Sequence, residues 1–314
     1  MKALLFMETD GEKVLGGSLE LISAAKALDA EKMAFIVASR AAANTAAAFG
    51  IPVIFTDTAA DCDTLTELLS EMVKEQNPDI VLLANTVMAK DVAPRIAGRM
   101  GLGCVSDVIG MSKSDGKVIY TRPAYGGTVL EHIEVEGMAV VTVRSGSFSK
   151  PEEGSKSAVT EKKVEILAGA IKAKIVDKVK EISEAVNLEE AEVIVSGGRG
   201  MGNAENFKLV EELANILGGV VGATRPPIED GWISRVHQVG QSGKIVTPKL
   251  YIACGISGAT QHTSGMSGSN YIVAINKDEE APIFEIADVG IVGNVTEILP
   301  VMIEEMKKAK EEAR

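Results

Sequence analysis

Three histidines, three cysteines and a 4% share of aromatic residues give this 314-residue chain little for side-chain catalysis. Cys62, Cys104 and Cys254 stand far apart with no C-x-x-C pair. That argues against a zinc site, an iron–sulfur cluster or a disulfide scaffold, and makes a reducing cytoplasm the expected compartment. H-E-x-x-H, G-x-S-x-G and the Walker A loop are all missing. Gly255-Ile256-Ser257-Gly258 is one residue short of the second, and QVGQSGK lacks the four residues between the glycines of the third. No apolar run reaches the ~18–20 residues that span a bilayer, and MKALLFMETDG reads as a first strand rather than a signal peptide. Basic charge is short as well: 32 basic against 44 acidic residues leave −12. This sign cannot displace counterions from nucleic acid, and the few rings offer no base-stacking platform.

What the chain does have is an apolar share of 46% and enough length for two well-buried domains. Strands are expected at Lys2–Thr9, Met33–Ser39, Ile51–Asp57 and Asp79–Asn85, with helices at Ser18–Leu28, Ala41–Phe49, Asp61–Glu75 and Lys90–Met100. Near-continuous apolar strands such as IVLLAN, alternating with helices, predict an α/β fold with a doubly wound, mostly parallel sheet. Lys117–Thr121, Thr128–Val135 and Ala139–Arg144 follow without helices between them and read as antiparallel extensions at one edge. TRPAYGG reads as a hairpin connection, with Arg122 the one residue there in reach of a phosphate, and Thr86 as a helix cap. Residues 145–160 read as an exposed loop or hinge and 164–175 as a strand returning to the sheet. The boundary is expected near Val186, giving domains 1–186 and 187–314.

The second domain places short apolar runs before Gly-rich or polar turns, as parallel sheets do where strand ends hold a nucleotide. Ala191–Val195 reads as a strand, Gly197, Gly198, Gly200 and Gly202 as its turn, and Ala204–Leu217 as a helix stopped by Gly218. The dinucleotide fingerprint is not met, because Asn203 stands where its third glycine belongs and Thr224-Arg225 where an acidic residue would hold a ribose. His132 reads as an edge residue and His237 as structural. His262, just after the strand Leu250–Cys254, is placed for a ligand or for a structural bond. Ile298, Val301, Met302 and Met306 mark one apolar face of a closing helix, Val295–Arg314.

VSGGRG, R-x-x-[IV]-x-x-GW, VGQ[ST]GK, GISGA-x-QH and AINKD-x-x-APIF occur in order. Residues 191–314 resemble the FAD-binding domain of the electron transfer flavoprotein alpha subunit, a Rossmann-like (flavodoxin-like) parallel sheet, and the preceding residues resemble that family's N-terminal domain more loosely. The resemblance implies an FAD-binding electron carrier, heterodimeric with an electron transfer flavoprotein beta subunit. Its implied role is to pass electrons from flavin dehydrogenases, such as acyl-CoA dehydrogenases of fatty acid beta-oxidation, to a further acceptor. Some members take part in electron bifurcation from NADH, using a second FAD in the partner.

The same resemblance implies site roles. Arg199 matches an arginine beside the FAD, and Thr224-Arg225 a pair whose arginine lies by the isoalloxazine ring. Val239, Gly240, Gln241 and Ser242 match VGQT, with the hydroxyl near flavin N5. Ser257, Gly258, Ala259, Thr260, Gln261 and His262 match the block on the phosphates and the ring's O2 edge. Asn276, and Asn294 with Val295 beside it, match contacts near the adenosine half. A reduced flavin carries negative charge near N1 and O2, and a guanidinium and an imidazole fixed there would stabilise it. Ser242 stands for the usual Thr and lacks the methyl that restricts its rotamer. Asn294 stands for Asp, and Pro226-Pro227 stiffens the chain after Arg225. The residues alone leave open an NAD-dependent oxidoreductase or a nucleotide-sensing module.

Overall fold

A parallel sheet buried on both faces needs strands that are apolar throughout, and Ile80–Ala84 and Ala139–Val143 are buried at every position. Both lie in the computed structural model's larger sheet. The structure describes residues 1–58, 61–164, 171, 173 and 187–312. It divides the chain into two compact units, Met1–Lys180 and Glu181–Arg314. The strand expected over 165–170 and 174–175 and the boundary near Val186 lie outside the described residues.

The first unit runs β1 (Lys2–Phe6), the small hairpin β2 (Thr9–Asp10) and β3 (Lys13–Val14), α1 (Gly16–Ala27), β4 (Glu31–Val37) and α2 (Arg40–Ala47). It continues through β5 (Val53–Thr56), α3 (Cys62–Gln76), β6 (Ile80–Ala84), α4 (Val87–Met100) and β7 (Gly103–Val108). Then come β8 (Gly110–Ser114), β9 (Lys117–Ala124), β10 (Val129–Glu134), β11 (Ala139–Val143) and β12 (Val159–Glu161). The main sheet has the order β12-β5-β4-β1-β6-β11-β7, with all pairs parallel. Helices α1 and α2 cover one face and α3 and α4 the other, each closing its own apolar core.

One expectation changes outright here. β9 and β10 are an antiparallel hairpin, joined by β8, but β11 is a parallel strand between β6 and β7. Segment 145–160 is largely the exposed loop expected, tied down rather than free to act as a hinge. Gly146 N–H donates to Glu20 Oε2 over 2.7 Å, Gly154 and Ser157 donate to the carbonyls of Ala48 and Ala47, and β12 adds to β5. Arg122 bonds to Ser106 and pairs with Glu131, inside the unit's own surface. Thr86 caps α4 as expected, accepting from Ala89 N–H.

The second unit contains β13 (Val193–Gly197), α5 (Ala204–Leu217), β14 (Val220–Ala223), α6 (Arg225–Glu229), β15 (Leu250–Cys254) and α7 (Thr260–Thr263). β16 (Ile272–Asn276), β17 (Val289–Val292) and α8 (Val295–Glu312) complete it. Its sheet is parallel, ordered β14-β13-β15-β16-β17. The order reverses between β13 and β15, so a crevice opens outside their carboxyl ends. Asn203 Oδ1 accepts from Asn206 N–H and caps α5, which is why a third glycine is not needed there. Phe207, Val210 and Leu213 of α5 pack with Val295, Leu299 and Ile303 of α8. The buried row of α8 is thus i, i+4, i+8 from Val295, with Ile298 and Met302 beside it. Val301 and Met306 face out, contrary to the expected face.

Candidate functional site

The turn after β13 and the turn after β15 meet at the reversal point. Gly198 N–H donates to the Cys254 carbonyl and Gly200 N–H to that of Gly255, both over 2.9 Å. A side chain on Gly198 would collide with the Gly255 carbonyl oxygen. These glycines therefore lock two strand-end turns together and form the floor of a cleft of about 830 Å³. That is the size of a ligand pocket.

One wall comes from the end of β14. Thr224 is buried at the start of α6, whose first turn carries Pro226 and Pro227, where missing N–H groups cost nothing. Arg225 reaches the cleft while its Nε pairs with Glu229 Oε1 at 2.7 Å in an exposed i,i+4 bridge. Beside it lies the 238–244 turn. Val239 N–H donates to Ala223, and Gln241 N–H to the Gln261 carbonyl over 2.7 Å. Gly240, at φ 134°, would push a Cβ to 2.7 Å from that same carbonyl, so only glycine lets the two loops close. Gln238 Nε2 donates to Ser242 Oγ over 2.9 Å. Asn276 ties the end of β16 to the neighbouring loop by donating to Ile256 O.

His262 is buried and held at both nitrogens. Nδ1 lies 3.1 Å from the Val239 carbonyl and Nε2 3.0 Å from the Tyr251 hydroxyl. A carbonyl only accepts, so Nδ1 carries the proton and Nε2 accepts from Tyr251. Burial pulls this imidazole down to about 4, against the Val239 bond, which works the other way. The imidazole is therefore neutral at neutral pH, and fixed positive charge at the cleft comes from Arg199, Arg225 and Lys277. His237 is structural, its Nδ1 donating to Val221 O over 2.7 Å. His132 pairs with Thr121 in the β9–β10 hairpin.

Twelve of the sixteen expected site residues line the cleft: Arg199, Thr224, Arg225, Val239, Gly240, Gln241, Ser242, Ser257, Ala259, Gln261, His262 and Asn276. Gly258 instead abuts Ile283, and Thr260 is exposed on α7. Asn294 spends its side chain on Thr296 and Glu297 at the start of α8, and Val295 is core. Cleft residues outside the expected set include Gln238, Ile256, Lys277 and Asp278. Gln238, Ile256 and Lys277 each adjoin an expected residue and Asp278 lies two positions from Asn276, and that closeness is the only signal they offer. The donor set fits a phosphate-bearing, planar-ringed ligand: three cations, hydroxyls at 224, 242 and 257, and the amide side chains of Gln241, Gln261 and Asn276. Among the described residues no group of acidic, His and Cys side chains could hold a metal ion, and no helix is long and apolar enough to cross a membrane.

Comparison with known proteins points the same way. A family model described as the electron transfer flavoprotein FAD-binding domain matches residues 187–267, and one described as the electron transfer flavoprotein domain matches residues 3–168. The alpha subunit of the electron transfer flavoprotein of Thermoanaerobacterium thermosaccharolyticum is 47% identical over 247 residues, 77% of this chain and 75% of that one. That of Bacillus subtilis is 41% identical, over 78% and 76%. That of Mycobacterium leprae is 39% identical over 323 residues, 98% of this chain and 99% of that one.

Proposed function

The chain belongs to the electron transfer flavoprotein alpha subunit family, its second unit being the FAD-binding domain, and we propose that the 198–278 cleft is where it holds FAD. The observation that carries this is the convergence of Arg199, Arg225, Ser242 and the Ser257–His262 loop on one crevice at the sheet's reversal point. FAD, when bound, takes up and passes on electrons, so the chain's own work is to bind, orient and tune. Arg225 and Arg199 line the cleft and would supply positive potential to a ring that gains negative charge there. Ser242 offers a hydroxyl to the ring edge. Buried, neutral His262 braces the Val239–Ser242 turn through the Val239 carbonyl and would shape the wall beside a bound ring.

A cleft built from strand-end loops of one small domain leaves a bound flavin open on one side. A beta subunit covering that side would exclude water and oxygen and strengthen the arginines' effect. In the proposed heterodimer, electrons pass from a flavin dehydrogenase, with acyl-CoA dehydrogenases the expected class, to a further acceptor. The test is co-expression with the candidate beta subunit, followed by flavin extraction and dithionite titration. The expected result is one FAD held by this chain, reversibly bleached, with occupancy rising when the partner is present. A colourless chain that binds no FAD with its partner would contradict the reading.

A further inference from the structure

Gln238 precedes the Val239–Ser242 segment and has no flavin role in the resemblance. Its side chain is 5% exposed, and its Nε2–H donates to Ser242 Oγ over 2.9 Å. The turn around it leaves little slack. Lys244 N–H donates to the Gln238 carbonyl over 2.7 Å, Gly243 N–H donates to Gly240 O, and a side chain at Gly243 would collide with the Gln238 carbonyl. Val239 N–H fastens the segment to the end of β14.

A hydroxyl has one proton and two lone pairs. With Gln238 donating into one lone pair, the Ser242 proton must leave in another direction. Ser242 is exposed on the cleft wall, so a ligand filling the cleft is placed to take that proton. A threonine would have its rotamer restricted by its methyl group. Serine has no such restraint, and the buried amide supplies one.

We propose that Gln238 is a positioning residue that makes Ser242 a one-way donor into the cleft, directed at an unprotonated ring nitrogen of the flavin. This rests on the reading of the cleft as the FAD site with Ser242 near N5. Were the amide turned over, Oε1 would take the proton and point it away from the ligand, and a Gln238→Glu variant imposes that arrangement. Gln238→Met keeps the length of the side chain and donates nothing.

The test uses the full chain with its flavin removed, titrated with FAD and with 5-deaza-FAD, which carries C–H in place of N5. A single net hydrogen bond predicts that wild type prefers FAD by about five- to tenfold. Gln238→Met should shrink that ratio and Gln238→Glu should bring it near one, whatever either change does to the affinity that the two flavins share. In a Ser242→Ala background the ratio should already be near one and neither Gln238 change should alter it. If Ser242→Ala abolishes the preference but both Gln238 variants keep it, Gln238 does not position the hydroxyl. If Ser242→Ala itself leaves the ratio unchanged, the placement of N5 beside Ser242 fails, and this inference with it.

Discussion

The Tyr251 hydroxyl, fully buried in β15, stands 3.0 Å from Nε2 of His262 and donates to it. The pair fixes one tautomer of the imidazole, and burial holds both groups neutral, with the phenol well above and the imidazole well below its usual value. His262 then acts on the cleft through shape and through the Val239 carbonyl rather than through charge.

A pH dependence follows for the second unit. The imidazole titrates near 6.5 when unfolded and about 4 when folded, so the unfolded chain binds its proton first as pH falls. Its stability contribution is complete above pH 6.5 and is lost on the way to 4, by about 2 kcal/mol at pH 5 and about 3 kcal/mol in all. Trp232, the chain's single tryptophan, sits against this unit's core and reports its unfolding in urea. A transition unmoved between pH 7.5 and pH 5 would mean that His262 is not buried neutral. Tyr251→Phe should cost about 1–3 kcal/mol by leaving Nε2 buried and unpaired.

The first unit should respond with the opposite sign. Burial raises the Glu20 carboxyl to about 7, against bonds from the Gly146, Phe148 and Ser147 amides and the charge of Lys150. The folded state holds this proton more tightly, so the stabilisation is present below pH 4.5 and lost as pH rises through 7. Glu20→Gln should remove that slope. The Gly146 amide resonance, tracked from pH 5 to pH 8.5, should titrate in wild type and stay fixed in the variant.

Arg225 and Glu229 should move the bound flavin's potential in opposite directions. Removing the guanidinium with Arg225→Ala lowers it, while Glu229→Gln frees the guanidinium's charge and raises it. Both side chains are more than half exposed, so solvent screening limits each shift to roughly 10–40 mV. Equal potentials in all three fully flavinated proteins would take Arg225 out of the ring's environment.

The phase of α8 gives a plain packing test. Leu299→Ala should cost about 2–5 kcal/mol in urea unfolding and Val301→Ala under about 0.5 kcal/mol. The reverse ranking would restore the face first read from the sequence.

That misreading shows where a one-dimensional pattern runs out. Val295, Leu299 and Ile303 are spaced by four, but Val301 and Met306 are equally apolar, and only the neighbouring α5 decides which row is covered. β11 was misplaced for a related reason. Its AVVTV run is buried throughout like β6, yet it follows β10 with no helix between, so nothing local announces a return to the parallel sheet. β7 escaped notice because Ser106 and Asp107 interrupt it where its register with β11 shifts. β1, β4, β5, β6, β13 and β15, α5 with its ends and most of the cleft were readable, since their cause is local: apolar runs, a cap, strand-end turns. Gln238 and the charge state of His262 were not, because each depends on partners, Ser242 in a folded turn or Tyr251 eleven residues away, that meet only in the folded unit.

The central claim, that FAD occupies the cleft of the second unit, is tested most directly by backbone hydrogen exchange of the full chain with and without FAD. The account predicts new protection at 198–200, 224–226, 238–242, 255–262 and 276–278, with the first unit unchanged. Protection by FAD that falls elsewhere, while these five segments exchange as before, would contradict it.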